Sequence, residues 1–269
     1  EGAKSLTQGD YKTQIEVNSN DELGQLSEDF NMLSNTLAAN ESARRRWIAD
    51  ISHELRTPLA VLRGEIEALQ DGVRATNDKA LQSLHSEVTQ LNKLVDDLYQ
   101  LSLSDLGALN YQKVEQDISE VLEQTCDSFR SRFDKAGISL KLKLADEPLW
   151  VFADAERVSQ LLHNLLENTL RYTDNGGRME IIGHIKGPLI QIDVLDSAPG
   201  VDEAALPHLF DPLYRTESSR NRAKGGDGLG LAIVHNIVTA HQGEIDARPS
   251  LLGGVWIRIT LPKATGTQS

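Results

Sequence analysis

Ser52-His-Glu-Leu-Arg-Thr-Pro-Leu59 sets an imidazole beside a carboxylate, in a run whose apolar residues Ile48, Ile51, Leu55, Leu59, Leu62, Ile66, Leu69 and Val73 recur at steps of three and four. That spacing is helical. His53 lies two residues after Ile51, roughly 200° around the helix, so it is expected to face solvent. An exposed imidazole next to Glu54 is a nucleophile with a proton acceptor at hand. Thr57 follows His53 by four residues, one turn along the same face. Pro58 has no N–H and its ring crowds the carbonyl of residue 54, so a bend is expected just past His53.

A second set of residues has the types that hold a nucleotide. Asn164, Asn168 and Tyr172 are spaced by four, beside an apolar stripe of Val158, Leu161, Leu162 and Leu165. Amides at such an edge destabilise the fold when unsatisfied, which points to a ligand or to capping of neighbouring loops. Asp196-Ser-Ala-Pro-Gly200 and Phe210-Asp-Pro-Leu-Tyr-Arg215 follow, then Gly225-Gly-Asp-Gly228-Leu-Gly230-Leu. The last segment opens a helix, where free N–H groups and the helix dipole favour phosphate. Leu231 stands where a dinucleotide fingerprint counted from Gly226 needs its third glycine, and no Gly-Lys-Ser/Thr of a Walker loop occurs. Arg215, Arg220, Arg222 and Lys224 form a basic cluster in an acidic chain, suited to a polyphosphate or simply to a solvated loop.

The elements that must carry these groups fall into two styles. Up to about residue 105, glycine and proline are scarce and narrow apolar seams run along three stretches: Leu23, Leu26, Phe30, Leu33 and Leu37; the run from Ile48; and Leu81, Leu84, Val88, Leu91, Val95 and Leu98. Seams of this kind pair helices by knobs-into-holes packing. The last two stretches, joined by a turn near Asp71-Gly72 and Thr76-Asn77-Asp78, form a hairpin that cannot cover its own stripes, so a dimeric four-helix bundle is expected. The eleven residues from Leu37 to Ile48 are a four-residue stutter between two stripes. Beyond a linker at 104–110 the pattern is mixed: helices over 118–133, 154–172 and 229–240, strands over 138–144, 149–152, 179–185, 189–195, 243–247 and 254–261, and a polar lid over 215–226. That order predicts an α+β sandwich.

Composition narrows the function further. With 27 basic against 40 acidic residues and a formal charge of −13, the chain is a poor direct partner for nucleic acid. The lone Cys126 excludes an internal disulfide and a cysteine zinc cluster, and reads as a small apolar filler. No run approaches the roughly 18 apolar residues of a membrane span.

In this order, and over nearly the whole chain, these motifs resemble the bacterial sensor histidine kinases of two-component systems. Residues 52–59 match the family's phospho-acceptor motif without a substitution. The resemblance implies that His53 attacks the γ-phosphate of ATP, that Glu54 takes or balances the imidazole proton, and that Thr57 serves the reverse, phosphatase reaction. It implies an ATP site of the gyrase/histidine-kinase type. There Asn168 ligates Mg²⁺, Asn164 lies next to the metal and phosphates, Arg171 is near the phosphates, Tyr172 is beside the adenine, and Asp196 receives the adenine amino group. Gly200, Gly228 and Gly230 are then close-approach glycines, with Gly226, Leu229, Arg215 and Lys224 completing the loop and lid. Ala198 departs from the family's usual glycine and Leu213 from its usual phenylalanine, which bears on the adenine loop and on the packing of the lid.

Asp21-Glu-Leu-Gly24 with the stripe that follows resembles the second half of a HAMP signal relay. The domains expected are a partial HAMP over 1–40, a dimerisation and phosphotransfer hairpin over 41–106, a catalytic ATP-binding domain over 107–265 and a tail over 266–269. The likeness within the family is to an enterobacterial envelope-stress sensor, through 49–72, 167–173, 196–201 and 214–231. It implies a homodimer, a cognate response regulator, and the cytoplasmic portion of an inner-membrane protein attached through segments outside this chain. Two rival functions remain at this level: a coiled-coil scaffold with a degenerate ATP site, and a gyrase-class ATPase, which carries a Glu where Asn164 stands.

Overall fold

The computed structural model describes residues 6–7, 9–17, 19, 21–105, 108–216 and 226–264. They form two compact units, residues 1–75 and 76–269.

The first unit is dominated by one helix, α1 (Glu22–Gln70). Asp21 caps it by accepting from the N–H groups of Leu23 and Gly24, which satisfies two of the donors every helix start leaves open. Gly24 is obligatory there, because a Cβ would sit 1.8 Å from the Ser19 carbonyl oxygen. The preceding segment runs back along the helix: Asn31 exchanges two hydrogen bonds of 2.8 Å with the backbone of Ile15. Buried Ser34 donates to the carbonyls of Tyr11 and Thr13. α1 passes without a break through the stutter and through Pro58, so the offset of the two apolar stripes is a phase change inside one helix. Leu23, Leu26, Leu33, Ile48, Leu59 and Ile66 are exposed within this unit.

The second unit opens with α2 (Asp78–Asp105). Leu81, Val88 and Val95 lie seven residues apart and remain exposed, as a seam awaiting a partner requires. Leu98, expected in that same stripe, belongs to another face: Leu94, Leu98 and Leu101 are buried within the unit, where α2 packs on α5 (Gly230–Ala240).

The rest is a two-layer α/β sandwich. Its elements are β1 (Val114–Asp117), α3 (Ile118–Ala136), β2 (Ser139–Leu144), β3 (Trp150–Ala153), α4 (Ala155–Tyr172), β4 (Arg178–Lys186), β5 (Leu189–Asp196), a 3-10 turn (Glu203–His208), α5, β6 (Glu244–Pro249) and β7 (Val255–Pro262). The main sheet has the order β2-β4-β5-β7-β6, with β2 parallel to β4 and the other pairs antiparallel. β1 and β3 form a separate antiparallel pair.

Local chemistry fixes the helix ends. Asp117 caps α3, which stops at Gly137 in the left-handed conformation, φ 68°. Asp154 caps α4 by accepting from Arg157 N–H, and its other oxygen accepts from Gln112 N–H. Between the layers, Leu122, Phe129 and Phe133 of α3, Leu162, Leu165 and Leu166 of α4, and Val234 and Val238 of α5 are buried with Ile181, Ile190 and Ile259 of the sheet. The apolar stripe read on α4 is therefore the face that lies in the core, and it holds the amides at its edge. β1 and the 3-10 turn were not foreseen. β1 reads Val-Glu-Gln-Asp, too short and polar to show a period of two.

Candidate functional site

A cavity of about 160 Å³ opens at one edge of the sandwich. Asn164, Asn168, Arg171 and Tyr172 reach it from α4, Asp196 from the end of β5, Gly200 from the loop after it, Arg215 from the lid segment, and Gly226, Gly228 and Gly230 from the loop into α5. Ten of the residues singled out in the sequence thus line one space. The four-residue spacing on α4 produces this: the face that turns Leu162, Leu165 and Leu166 into the core carries the amides to its rim.

The cavity has two ends of different chemistry. Ala198, Pro199, Val201, Leu209, Val255 and Ile257 wall the end near Asp196. There Asp196 Oδ1 accepts from Val255 N–H at 2.9 Å and from Ala198 N–H at 3.2 Å. Both bonds fall on the same oxygen, which leaves Oδ2 for a donor on a ligand. Burial pushes the Asp196 carboxyl above the ordinary carboxylate range, and the two N–H bonds pull against it. Gly254 makes this arrangement possible, since a Cβ would lie 2.0 Å from Asp196 Oδ1. Ala198 fits in place of glycine because its φ is not positive, so its methyl carries no left-handed strain.

The other end is polar. Lys93, Asp97, Asn164, Glu167, Asn168, Arg171 and Asp227 surround it. Asn164 Nδ2 donates to the Gly230 carbonyl at 3.3 Å, which ties α4 to the first turn of α5. The Asn168 amide makes no hydrogen bond among the described residues, so its oxygen is open to a ligand. Gly226 N–H donates to the Tyr172 hydroxyl at 3.3 Å, anchoring the glycine loop on α4. Gly228, φ 74°, lies against Leu213, where a Cβ would meet the backbone at 2.9 Å. Leu213 itself has φ 63° and donates its N–H to the Gly228 carbonyl. The substitution at 213 therefore sits at a strained contact that clamps the lid's first residues onto the loop.

One expectation changes on contact with the structure. Leu229 does not line the cavity; its side chain is fully buried and the residue stands just before the first turn of α5. Gly230 lines the cavity, and a Cβ there would meet Asn164 atoms no nearer than 3.8 Å, so the surrounding protein does not itself demand glycine. Lys224, with Arg220 and Arg222, lies outside the described residues.

Lys93, Asp97, Asp227 and Gly254 were not singled out from sequence. The Gly253-Gly254 pair was a signal, read only as the start of a strand. Lys93 and Asp97 gave none, because nothing local says that α2 borders this cavity. Burial raises the Asp97 carboxyl to about 6, with Lys93 opposing and Asp227 and Asp96 reinforcing the rise.

His53, Glu54 and Thr57 belong to the other unit. His53 is exposed and Glu54 half-buried on α1. Thr57 Oγ1 donates to the His53 carbonyl at 3.4 Å, the local backbone bond open to any helical threonine.

Known proteins resemble the chain throughout. The family model for histidine kinase-, DNA gyrase B-, and HSP90-like ATPases matches residues 153–265, the His Kinase A (phospho-acceptor) domain matches 43–107, and the HAMP domain matches 1–39. The signal transduction histidine-protein kinase BaeS of Escherichia coli K12 is 52% identical over 262 residues, covering 97% of this chain and 56% of BaeS. The chain thus spans about half the length of that relative. The structure of the Acinetobacter baumannii histidine kinase AdeS matches with a TM-score of 0.68 at 29% identity, over 79% of this chain and 98% of that one. Histidine kinase ThkA, solved in complex with response regulator protein TrrA, shares the fold with a TM-score of 0.68 at 21% identity, over 84% of this chain and 64% of that one.

Proposed function

This chain belongs to the sensor histidine kinases, and on that premise we propose that it uses ATP to phosphorylate His53 and passes the phosphoryl group to an aspartate of a response regulator. The observation that carries the proposal is the cavity, where an anchored carboxylate at an apolar end faces amides, cations and glycine N–H groups at a polar end. A purine with a charged tail has those two chemistries in that order.

Asp196 Oδ2 accepts from the adenine amino group, while Ala198, Val255 and Ile257 cover the ring and Tyr172 lies beside it. Arg171 and Arg215 offset phosphate charge, and the N–H groups of the loop at Gly226 and Gly228 approach the phosphates. Lys224 belongs to the same lid and has the charge to join them. The donor set suits Mg²⁺: amide oxygens are hard ligands, and a nucleotide-borne Mg²⁺ keeps its waters and phosphates instead of needing an all-protein cage. That fits the absence, among the described residues, of any cluster of three His, Cys, Asp or Glu. Asn168 would hold the ion with Asn164 beside it, and the ion would neutralise charge developing on the phosphates.

In the transfer step a lone pair of the His53 ring attacks the γ-phosphorus. An N–P bond forms, the bond from that phosphorus to the β–γ bridging oxygen breaks, and ADP leaves. Glu54 receives the ring proton. In the second step the N–P bond breaks as a regulator carboxylate forms its O–P bond. Thr57 is placed to serve the reverse reaction, in which water attacks the regulator's phospho-aspartate. The complex of ThkA with TrrA supports a regulator as partner.

The exposed seams on α1 and α2 support a homodimer with a four-helix core. We divide the chain into a partial HAMP over 1–40, the phosphotransfer region over 41–106, the catalytic domain over 107–265 and a tail. No described helix is long and apolar enough to cross a membrane, and the HAMP match supports attachment to the inner membrane through segments outside this chain. The likeness to BaeS supports a role in envelope stress. Incubation with γ-labelled ATP tests the proposal: acid-labile, alkali-stable label should appear on the chain and vanish in His53→Gln. Steady hydrolysis without a phosphoprotein would overturn it in favour of a gyrase-class ATPase.

A further inference from the structure

We propose that Lys93, on the phosphotransfer helix α2, is a binding residue for the terminal phosphate of ATP, so that the nucleotide site is complete only while α2 is docked on the catalytic domain. The inference rests on the nucleotide reading above and adds to it a residue from a different domain.

Among the described residues, three basic side chains from three elements line the cavity: Arg171 from α4, Arg215 from the lid segment and Lys93 from α2. Lys93 stands at the polar end, opposite the end that holds Asp196. A more open groove between α2 and α4 shares Lys93, Asp97, Asn164 and Glu167 with the cavity. A nucleotide whose base lies against Asp196 runs its phosphates past Asn168 and Asn164 toward that groove, and the last phosphate reaches Lys93. The need for a cation there is plain. Asp97, Glu167 and Asp227 gather at the same end, and three carboxylates would repel a polyphosphate unless positive charge intervened. Lys93 shares both the cavity and the adjoining groove with two of them, Asp97 and Glu167, and its charge acts on both carboxyls. A lysine ammonium on a flexible stem is a suitable point charge for a phosphate.

α2 is held in place by contacts independent of any ligand. Leu94, Leu98 and Leu101 are buried in the unit, and Gln160 Nε2 of α4 donates to Gln100 Oε1 at 2.6 Å. Because Lys93 rides on this docked helix, terminal-phosphate binding and docking are linked, and each favours the other by the same factor. A signal that moves α2 would thereby change the affinity for ATP and leave that for ADP nearly constant.

The test uses the full chain with a non-hydrolysable ATP analogue (AMPPNP), ADP and adenosine, each titrated calorimetrically into wild type, Lys93→Ala and Lys93→Arg. One charge-assisted hydrogen bond corresponds to roughly a tenfold change in affinity. Lys93→Ala should weaken AMPPNP about tenfold by that measure, with ADP and adenosine within about twofold and Lys93→Arg recovering most of the loss. Amide exchange over 94–101 should slow with AMPPNP in wild type and not in Lys93→Ala. Unchanged AMPPNP binding, or equal losses for all three ligands, would overturn the assignment while leaving the nucleotide site intact. A wild type that binds none of the three would overturn the nucleotide reading and this proposal together.

Discussion

Replacing Asp97 by Asn should stabilise the second unit at neutral and alkaline pH and do nothing useful in acid. Asp97 is 7% exposed. It lies among Leu94, Leu98 and Leu101 on α2, feels the charges of Lys93 and Asp96 on its own helix and of Asp227 from the loop before α5, and shares the cavity with Glu167 of α4. Its carboxyl is raised from 3.8 to about 6, a shift worth about 3 kcal/mol between the two protonation states. The folded pKa lies above the unfolded one, so the folded state binds the proton more tightly. The penalty is absent below about pH 4, grows between pH 4 and 6, and persists in full above pH 6. The three leucines contribute roughly 1.5–3 kcal/mol each when buried, so docking survives the penalty.

Asn cannot ionise, but its amide still wants partners and costs about 1–3 kcal/mol when left without them. The expected net gain above pH 6 is therefore up to about 2 kcal/mol, or up to roughly 8 °C in Tm for a unit of this size. Thermal unfolding of the nucleotide-free protein at pH 8 and pH 4.5, at one protein concentration, measures it. Destabilisation of equal size at both pH values would show that Asp97 contributes a specific hydrogen bond and would refute the reasoning.

Asn168→Ala should abolish calorimetric binding of ATP at millimolar Mg²⁺ while the circular dichroism spectrum is unchanged; retained binding would remove Asn168 from the metal. Gly254→Ala places a Cβ 2.0 Å from Asp196 Oδ1, so adenosine affinity should fall by more than about tenfold, the worth of a hydrogen bond to a charged group, and intact affinity would mean that the loop yields freely. Thr57→Ala should autophosphorylate and transfer nearly as wild type yet lose most dephosphorylation of the regulator. A parallel loss of both rates would reduce Thr57 to its bond with the His53 carbonyl.

Periodicity and short-range chemistry made much of this molecule legible in one dimension. Helix α4 follows from apolar residues at helical spacing after an aspartate cap, and that spacing puts Asn164, Asn168 and Tyr172 at the edge of the core face whatever the rest of the chain does. The strands β4 and β5 follow from apolar runs around a Gly-Pro turn, and Asp196 closes β5 where the pattern ends. Other features depend on what meets what across the fold. Leu98 reads in sequence as part of a helix-pairing seam, and only the position of α5 makes it, with Leu94 and Leu101, an intramolecular face. Gly254 is dispensable in a bare strand start and indispensable once β7 brings it against Asp196, 58 residues upstream. Lys93 and Asp97 carry no motif, because opposite charges one turn apart are ordinary helix surface until another element closes over them. Sequence determines which groups share a helix face or strand end, since those relations are set by backbone geometry within a few residues. Tertiary structure decides which faces meet, since that depends on the complementary shape and burial of segments far apart in the chain, and the second wall of this cavity was decided there.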